Sequence, residues 1–210
     1  MTDMLYKNIK WIICIICVVL FLTLAEDVFS NDIMHGDIVG YNLVSSYLIR
    51  NSTIPFAKAI TWCGSGLCFT LLTLLSLAIF KSKKISLMIL SNLIIVTILN
   101  NLLKFIFQRP RPTELRMIHV TGYSFPSGHS MISMAFYGLL IYLIYNTVTN
   151  QYLKWVLIGF LSLLILSIGI SRIYLGVHYT SDVFAGFLIA ISYLILFISI
   201  ATKYVNLSIK

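Results

Sequence analysis

The sequence predicts an all-α polytopic membrane protein with six transmembrane helices, organised as one integral membrane domain over residues 1–210. Two observations lead there. The chain is 59% hydrophobic, only 10% charged and has a mean hydropathy of +0.95, more apolar material than one soluble core buries. Its apolar residues also gather into six runs bounded by charges or prolines, each near the roughly 20 residues a helix needs to cross the hydrocarbon layer. The same composition excludes a soluble globular domain and intrinsic disorder.

The runs are taken in chain order. The first span, 8–25, follows Lys7 and contains Lys10. Its apolar stretch from Trp11 to Ala25 has the length of a secretory leader, but Glu26-Asp27 lacks a small-residue cleavage pattern, so a retained anchor is expected. In the outer loop 26–55, Ile38, Leu43, Val44, Tyr47 and Leu48 recur with helical spacing, which predicts an interfacial helix along the membrane surface. The second span, 56–80, carries Gly64-Ser65-Gly66, small residues that suit close helix packing. A clipped Lys81-Ser82-Lys83-Lys84 turn leads into the third span, 85–103. A polar segment, 104–126, separates it from the fourth, 127–147. The turn 148–153 precedes the fifth span, 154–174, and the tight connection 175–181 precedes the sixth, 182–202.

Cys14, Cys17, Cys63 and Cys68 all sit inside apolar runs, without metal-ligand spacing or a disulfide framework, and read as small buried hydrophobes. Trp11, Trp62, Trp155 and the tyrosines read as interface anchors or packing residues, not as a base-stacking surface, so no nucleic-acid partner is expected.

Charge sets the orientation. Six spans place both termini on one side, together with Lys7, Lys10, Lys81, Lys83, Lys84, Lys154, Lys203 and Lys210 against one acid, Asp3. By the positive-inside rule that side is the cytoplasm of a cell membrane. The other side holds Glu26, Asp27, Asp32, Asp37, Glu114 and Asp182 with Arg50, Lys58, Lys104, Arg109, Arg111, Arg116 and Arg172. Topology does not account for this outer basic group, and charges at a bilayer edge call for a function.

Three clusters fall at predicted outer ends of spans: Lys104 with Arg109-Pro110-Arg111-Pro112, then Pro126-Ser127-Gly128-His129, then Ser171-Arg172 with His178 and Asp182. Lys104, Arg111 and Arg172 offer cationic donors, and guanidinium forks match the paired oxygens of a phosphate. Pro126-Ser127-Gly128 ahead of a helix supplies a rigid lead-in, a side-chain cap, an open backbone approach and unpaired N–H groups at the positive dipole end. His178 and Asp182, four apart, share a face on a helical segment, so the carboxylate holds one ring proton while the other nitrogen attacks. His129, on another helix, then gives a proton to the departing oxygen and later takes one from water.

Lys104 and, after six residues, Arg111-Pro112; Pro126-Ser127-Gly128-His129; and Ser171-Arg172 followed at set spacing by His178 and Asp182 together resemble the three-part signature of the type 2 phosphatidic acid phosphatase superfamily. The three parts occur in the family's order, separated by 113–125 and 130–170. The resemblance implies a membrane-bound lipid phosphatase that needs neither metal nor other cofactor and works through a phosphohistidine. It implies His178 as nucleophile, Asp182 as its orienting partner and His129 as general acid and base. Lys104, Arg111, Ser127, Gly128, His129 and Arg172 would surround the phosphoryl oxygens.

The implied partner is a membrane lipid. The chain resembles small bacterial members of the family, and the outward orientation puts undecaprenyl diphosphate first among substrates, with phosphatidylglycerophosphate or phosphatidate second. Arg109 lacks the family spacing and reads as a helper or headgroup contact, Glu114 and Arg116 as rim residues, and His35 and His119 as surface residues. Two other classes compete: an anion transporter, which requires basic groups spread through membrane depth, and a catalytically silent lipid-binding protein, against which intact His129, His178 and Asp182 argue.

Overall fold

The computed structural model describes residues 2–30, 34–79, 82–113 and 116–204, with side chains from residue 8 onward. Glu114, Lys81, Lys210 and Asp32 lie outside the described residues, as do the side chains of Asp3 and Lys7. Among the described residues there are eight helices and no strand: α1 (Thr2–Phe29), α2 (His35–Leu48), α3 (Ile54–Trp62), α4 (Gly66–Ile79), α5 (Lys83–Phe107), α6 (Gly128–Thr147), α7 (Gln151–Tyr174) and α8 (Thr180–Ala201).

Five of them, α1, α5, α6, α7 and α8, are long and apolar enough to cross a membrane. Their outer faces carry exposed Ile15, Leu22, Leu87, Ile98, Phe160 and Leu163, as expected where lipid rather than water is the solvent. The predicted second span differs. In its place stand two helices, α3 and α4, bent by 46° at Cys63-Gly64-Ser65. The Gly64 backbone lies so close to its neighbours that a β-carbon there would meet Ile168 Cγ2 at 2.7 Å and His129 Cδ2 at 3.0 Å. The expected close packing is present, and it coincides with a break in the helix.

The segment expected to lie along the membrane surface contains a helix, α2. Ile38, Leu43, Tyr47 and Leu48 are exposed, whereas Asp37 on its first turn is buried against the protein. α2 packs on α7 and α8, and a β-carbon at Gly40 would lie 2.3 Å from Thr180 Oγ1.

α6 is the centre of the bundle, with α5, α7 and α8 around it, α1 on α8, α3 on α7 and α4 on α5. Phe69, Ile89, Phe136, Leu139 and Ile168 form its main buried cluster. Helix ends follow local chemistry. Gln108 adopts a left-handed conformation (φ 44°) and closes α5, its N–H bonding Lys104 O at 3.0 Å, and the prolines at 110 and 112 keep the helix from continuing. Gly176, at φ 65°, turns the chain out of α7. Asn150 caps α7, its Oδ1 accepting from Leu153 N at 3.0 Å. Because α5, α6, α7 and α8 alternate in direction, the C-terminal ends of α5 and α7 meet the N-terminal ends of α6 and α8. All three motifs sit at those four ends.

Candidate active site

Lys104, in the last turn of α5, donates from Nζ to Tyr123 O at 2.6 Å and to Ser124 O at 3.2 Å, which folds the segment after α5 back over the helix end. Arg111 crosses to the α7–α8 connection. Its Nε donates to Gly122 O and its Nη1 to Val177 O, both at 2.9 Å, and Nη1 also lies 3.0 Å from His178 Nε2. A guanidinium N–H only donates, so Nε2 is the acceptor and bears the lone pair. The ring proton therefore resides on Nδ1, assigned from this network, where Ser124 Oγ lies at 3.2 Å and Asp182 Oδ2 at 3.3 Å.

Asp182 is fully buried and saturated. Oδ2 accepts from Ser124 Oγ at 2.5 Å and from Tyr179 N at 2.8 Å; Oδ1 accepts from Arg109 Nη1 at 2.8 Å. The expectation that His178 and Asp182 share a helix face needs correction. His178 precedes α8, whose N-cap is Tyr179, and the pair meets because Asp182 reaches back to the first free amide of the helix. Burial pushes the His178 imidazole well below its ordinary pKa, against the pull of Asp182 and with the help of Arg111 and Arg172. The histidine is thus held neutral, with its one nitrogen lone pair on Nε2 facing the Arg111 donor.

The start of α6 joins this pair through Ser127 N, which donates to Asp182 O at 2.9 Å. The approach is close at two glycines, against backbone at one and a side chain at the other. A β-carbon at Gly186 would meet Ser127 O at 2.9 Å, and one at Gly128 would meet Asn100 Oδ1 at 2.9 Å and Lys104 Cε at 3.8 Å. The expected Ser127 side-chain cap is absent. Its hydroxyl instead accepts from Ser130 Oγ at 3.0 Å, and the first backbone bond of the helix runs from Met131 N to Ser127 O at 2.9 Å. The amides of Gly128 and His129 have no backbone acceptor among the described residues and mark a helix N-terminus of the anion-binding kind. His129, against Gly64 between α3 and α4, is within electrostatic reach of Arg172, His178, Arg111 and Lys104.

Arg172 is 2% exposed. Its Nη1 donates to Thr61 Oγ1 at 2.6 Å, Nε has no partner, and no carboxylate among the described residues pairs with it. A buried guanidinium without a counter-charge costs several kcal/mol, about what a bound anion would offset. Arg109 is the contrast. It is not a headgroup contact: its Nη2 pairs with Asp37 Oδ2 and its Nη1 with Asp182 Oδ1, each at 2.8 Å. Burial acts to lower its pKa, but Asp182 and Asp37 outweigh burial and the net direction is up.

All eight residues singled out by sequence (Lys104, Arg111, Ser127, Gly128, His129, Arg172, His178 and Asp182) thus stand at one end of the bundle. Arg116 lies at the rim, its Nη2 3.4 Å from Arg111 O and its Nε donating to Pro112 O; His35 and His119 are exposed. Sequence reasoning missed Ser124, Asp37, Thr61 and the true partners of Arg109. A cavity of about 540 Å³ opens beside His178, between Tyr179 and Thr180 on one side and Ile38, Tyr41 and Asn42 of α2 on the other.

A family model described as the PAP2 superfamily matches residues 85–205, which contain all three motifs. The chain belongs to the PAP2 superfamily. Among similar proteins, phosphatidylglycerophosphatase B of Bacillus subtilis (strain 168) is 35% identical over 94 residues, covering 43% of this chain and 45% of that one. An undecaprenyl-diphosphatase of Sulfolobus acidocaldarius is 32% identical over 120 residues, 54% of each chain. The chain spans about half the length of these curated relatives. The crystal structure of a transmembrane PAP2 type phosphatidylglycerolphosphate phosphatase from Bacillus subtilis superposes with a TM-score of 0.82 over 92% of this chain and 98% of that one, at 24% identity, which establishes the shared PAP2 fold. Aquifex aeolicus LpxE superposes with a TM-score of 0.59 at 27% identity, covering 78% and 93%. The fold and the apolar helices together make this PAP2 chain a multi-pass membrane protein.

Proposed function

We propose that this chain is a metal-independent lipid phosphatase that hydrolyses phosphate or diphosphate esters through a phosphohistidine. The observation that carries the reading is Arg172, a cation buried without a counter-charge among the described residues and within electrostatic reach of an imidazole whose lone pair is on Nε2. Lys104, Arg111 and Arg172, the amides of Gly128 and His129 and the Ser127 hydroxyl hold the phosphoryl oxygens. Binding draws the Arg111 donor from Nε2 to a phosphoryl oxygen and frees the lone pair. Nε2 then forms the N–P bond as the ester P–O bond breaks, and His129 gives its proton to the departing oxygen. Water next attacks phosphorus, His129 takes the water proton, and the N–P bond breaks to release inorganic phosphate. Asp182 holds Nδ1–H throughout and offsets the charge on the phosphorylated ring.

The reading counts six spans, with α3 and α4 as one, and has both termini in the cytoplasm, the site at the outer face and α2 along the outer surface. Lys83, Lys84, Lys154 and Lys203 support this, since they occupy helix ends opposite the site. Lys84 and Lys104 are about 30 Å apart along α5 by its rise per residue. The phosphate-facing cations cluster at one end and are not spread through membrane depth, which also disfavours a permeation path. Single cysteines at Lys83 and Thr113, in a cysteine-free background, are expected to label from opposite sides of intact cells; labelling from one side would reject the topology.

Undecaprenyl diphosphate, released at the outer face, ranks first among substrates, and phosphatidylglycerophosphate or phosphatidate second; the names of the two curated relatives span the first two. The test is phosphate release by purified protein in detergent on all three lipids, with EDTA and with vanadate. Release that survives EDTA and is blocked by vanadate, fastest on undecaprenyl diphosphate, is expected. No release from any of the three, or its abolition by EDTA, would reject the activity or its metal independence, respectively.

A further inference from the structure

The strongest feature outside the phosphate-facing groups is a buried bridge from α2 to the base of α8. Asp37 is 3% exposed and accepts three kinds of donor: Ser181 N on Oδ1 at 2.7 Å, and Arg109 Nη2 at 2.8 Å and Ser181 Oγ at 3.0 Å on Oδ2. The same guanidinium turns its Nη1 to Asp182 Oδ1 at 2.8 Å and to Ser181 Oγ at 2.7 Å, and it lies 4.1 Å over the Tyr179 ring. Arg109 therefore spans two carboxylates. One anchors it to α2, and the other belongs to the pair that holds His178.

This arrangement has two consequences for Asp182. Its Oδ1 is pinned, so rotation about the carboxyl axis is blocked and Oδ2 stays aimed at Ser124, Tyr179 and His178 Nδ1. Arg109 also shares its charge with Asp37 and does not neutralise Asp182 alone, so Asp182 keeps negative charge for the phosphorylated ring. The α2 residues that line the cavity beside His178, Ile38, Tyr41 and Asn42, follow within five positions of Asp37.

We propose that Asp37 is a positioning residue for the His178–Asp182 pair, acting through Arg109 and tying the outer-loop helix α2 to the nucleophile. The inference rests on the phosphohistidine reading above, yet one of its measurements needs no turnover. In 15N-histidine-labelled protein, the His178 ring, assigned by its loss in His178→Ala, is expected as a single Nδ1–H tautomer, and Asp37→Asn is expected to give a mixture. In phosphate release, Asp37→Asn is expected to lower kcat about 10- to 100-fold, with KM within about twofold, on the scale of coupling within one hydrogen-bonded network.

Asp37→Asn added to Arg109→Gln is expected to cost nothing beyond Arg109→Gln alone. An unchanged His178 signal, wild-type kcat in folded Asp37→Asn, or additive losses in the double variant would each overturn the proposal. If Asp37→Asn does not fold, Arg109→Lys decides, because one ammonium lacks the fork that spans both carboxylates. It is expected to show the same kcat loss and mixed tautomer, and wild-type behaviour would overturn the proposal. No phosphate release by the wild-type protein, together with the expected tautomer mixture in Asp37→Asn, would count against the activity alone.

Discussion

His178→Ala is expected to eliminate phosphate release, by at least about four orders of magnitude, while leaving the protein folded. The size follows from the proposed role. Removing a covalent acceptor leaves only the electrostatic cradle, and in enzymes with comparable nucleophile machinery single deletions of this kind cost about 10⁴ to 10⁶ in kcat. Folding should survive because the partners of the ring keep other bonds. Arg111 retains Val177 O and Gly122 O, and Asp182 retains Arg109, Ser124 and Tyr179 N. Two measurements check it: phosphate release by monodisperse purified variant, and acid-quench trapping of an acid-labile phosphoprotein, present in wild type and missing in the variant. Turnover near wild type in His178→Ala would remove the phosphohistidine from the mechanism.

Asp182→Asn is expected to lower kcat by about 10⁴, the scale seen when the carboxylate of a catalytic His–Asp pair becomes an amide. The geometry supplies the cause. An Asn amide turned toward His178 offers an N–H to Nδ1 and pushes the ring proton to Nε2, where it confronts the Arg111 Nη1 donor 3.0 Å away. The attacking lone pair is then lost and two donors oppose each other. Unlike the histidine substitution, this one should also destabilise, since Arg109 loses one of two buried counter-charges, a change of about 3–5 kcal/mol for a broken buried ion pair. Rates normalised to folded protein, read beside a thermal melt, separate the two effects. Near-normal kcat with a lowered Tm would make the pair structural.

Much of the site was legible because its residues repeat simple local rules. Lys104, Arg111, Arg172, His129, His178 and Asp182 are polar residues at the ends of apolar runs, where hydrocarbon does not tolerate them without a reason, and their alternation between span ends predicts one layer. The position of α2 along the loop was readable from its apolar spacing. What it holds was not. Asp37 and Ser181 are 144 residues apart in the chain, and Arg109 and Asp182 are 73 apart, so no period or motif ties them. Arg109 and Arg111 both precede proline, yet one faces carboxylates and the other an imidazole. Ser124 carried only a faint signal, a small polar residue shortly before Pro126-Ser127, and Ser127 itself looked like a cap until the Ser130 hydroxyl claimed it.

The sequence by itself determined the apolar spans, their order and the end of the bundle at which the charged motifs gather, since the length of an apolar run sets where a helix enters and leaves the bilayer. Only the tertiary structure decided which partners each arginine meets, which nitrogen of His178 keeps its lone pair, and where the chain bends between α3 and α4. Those outcomes depend on hydrogen-bond directions and close contacts between helices, and such geometry exists only once α2, α5, α6, α7 and α8 have packed.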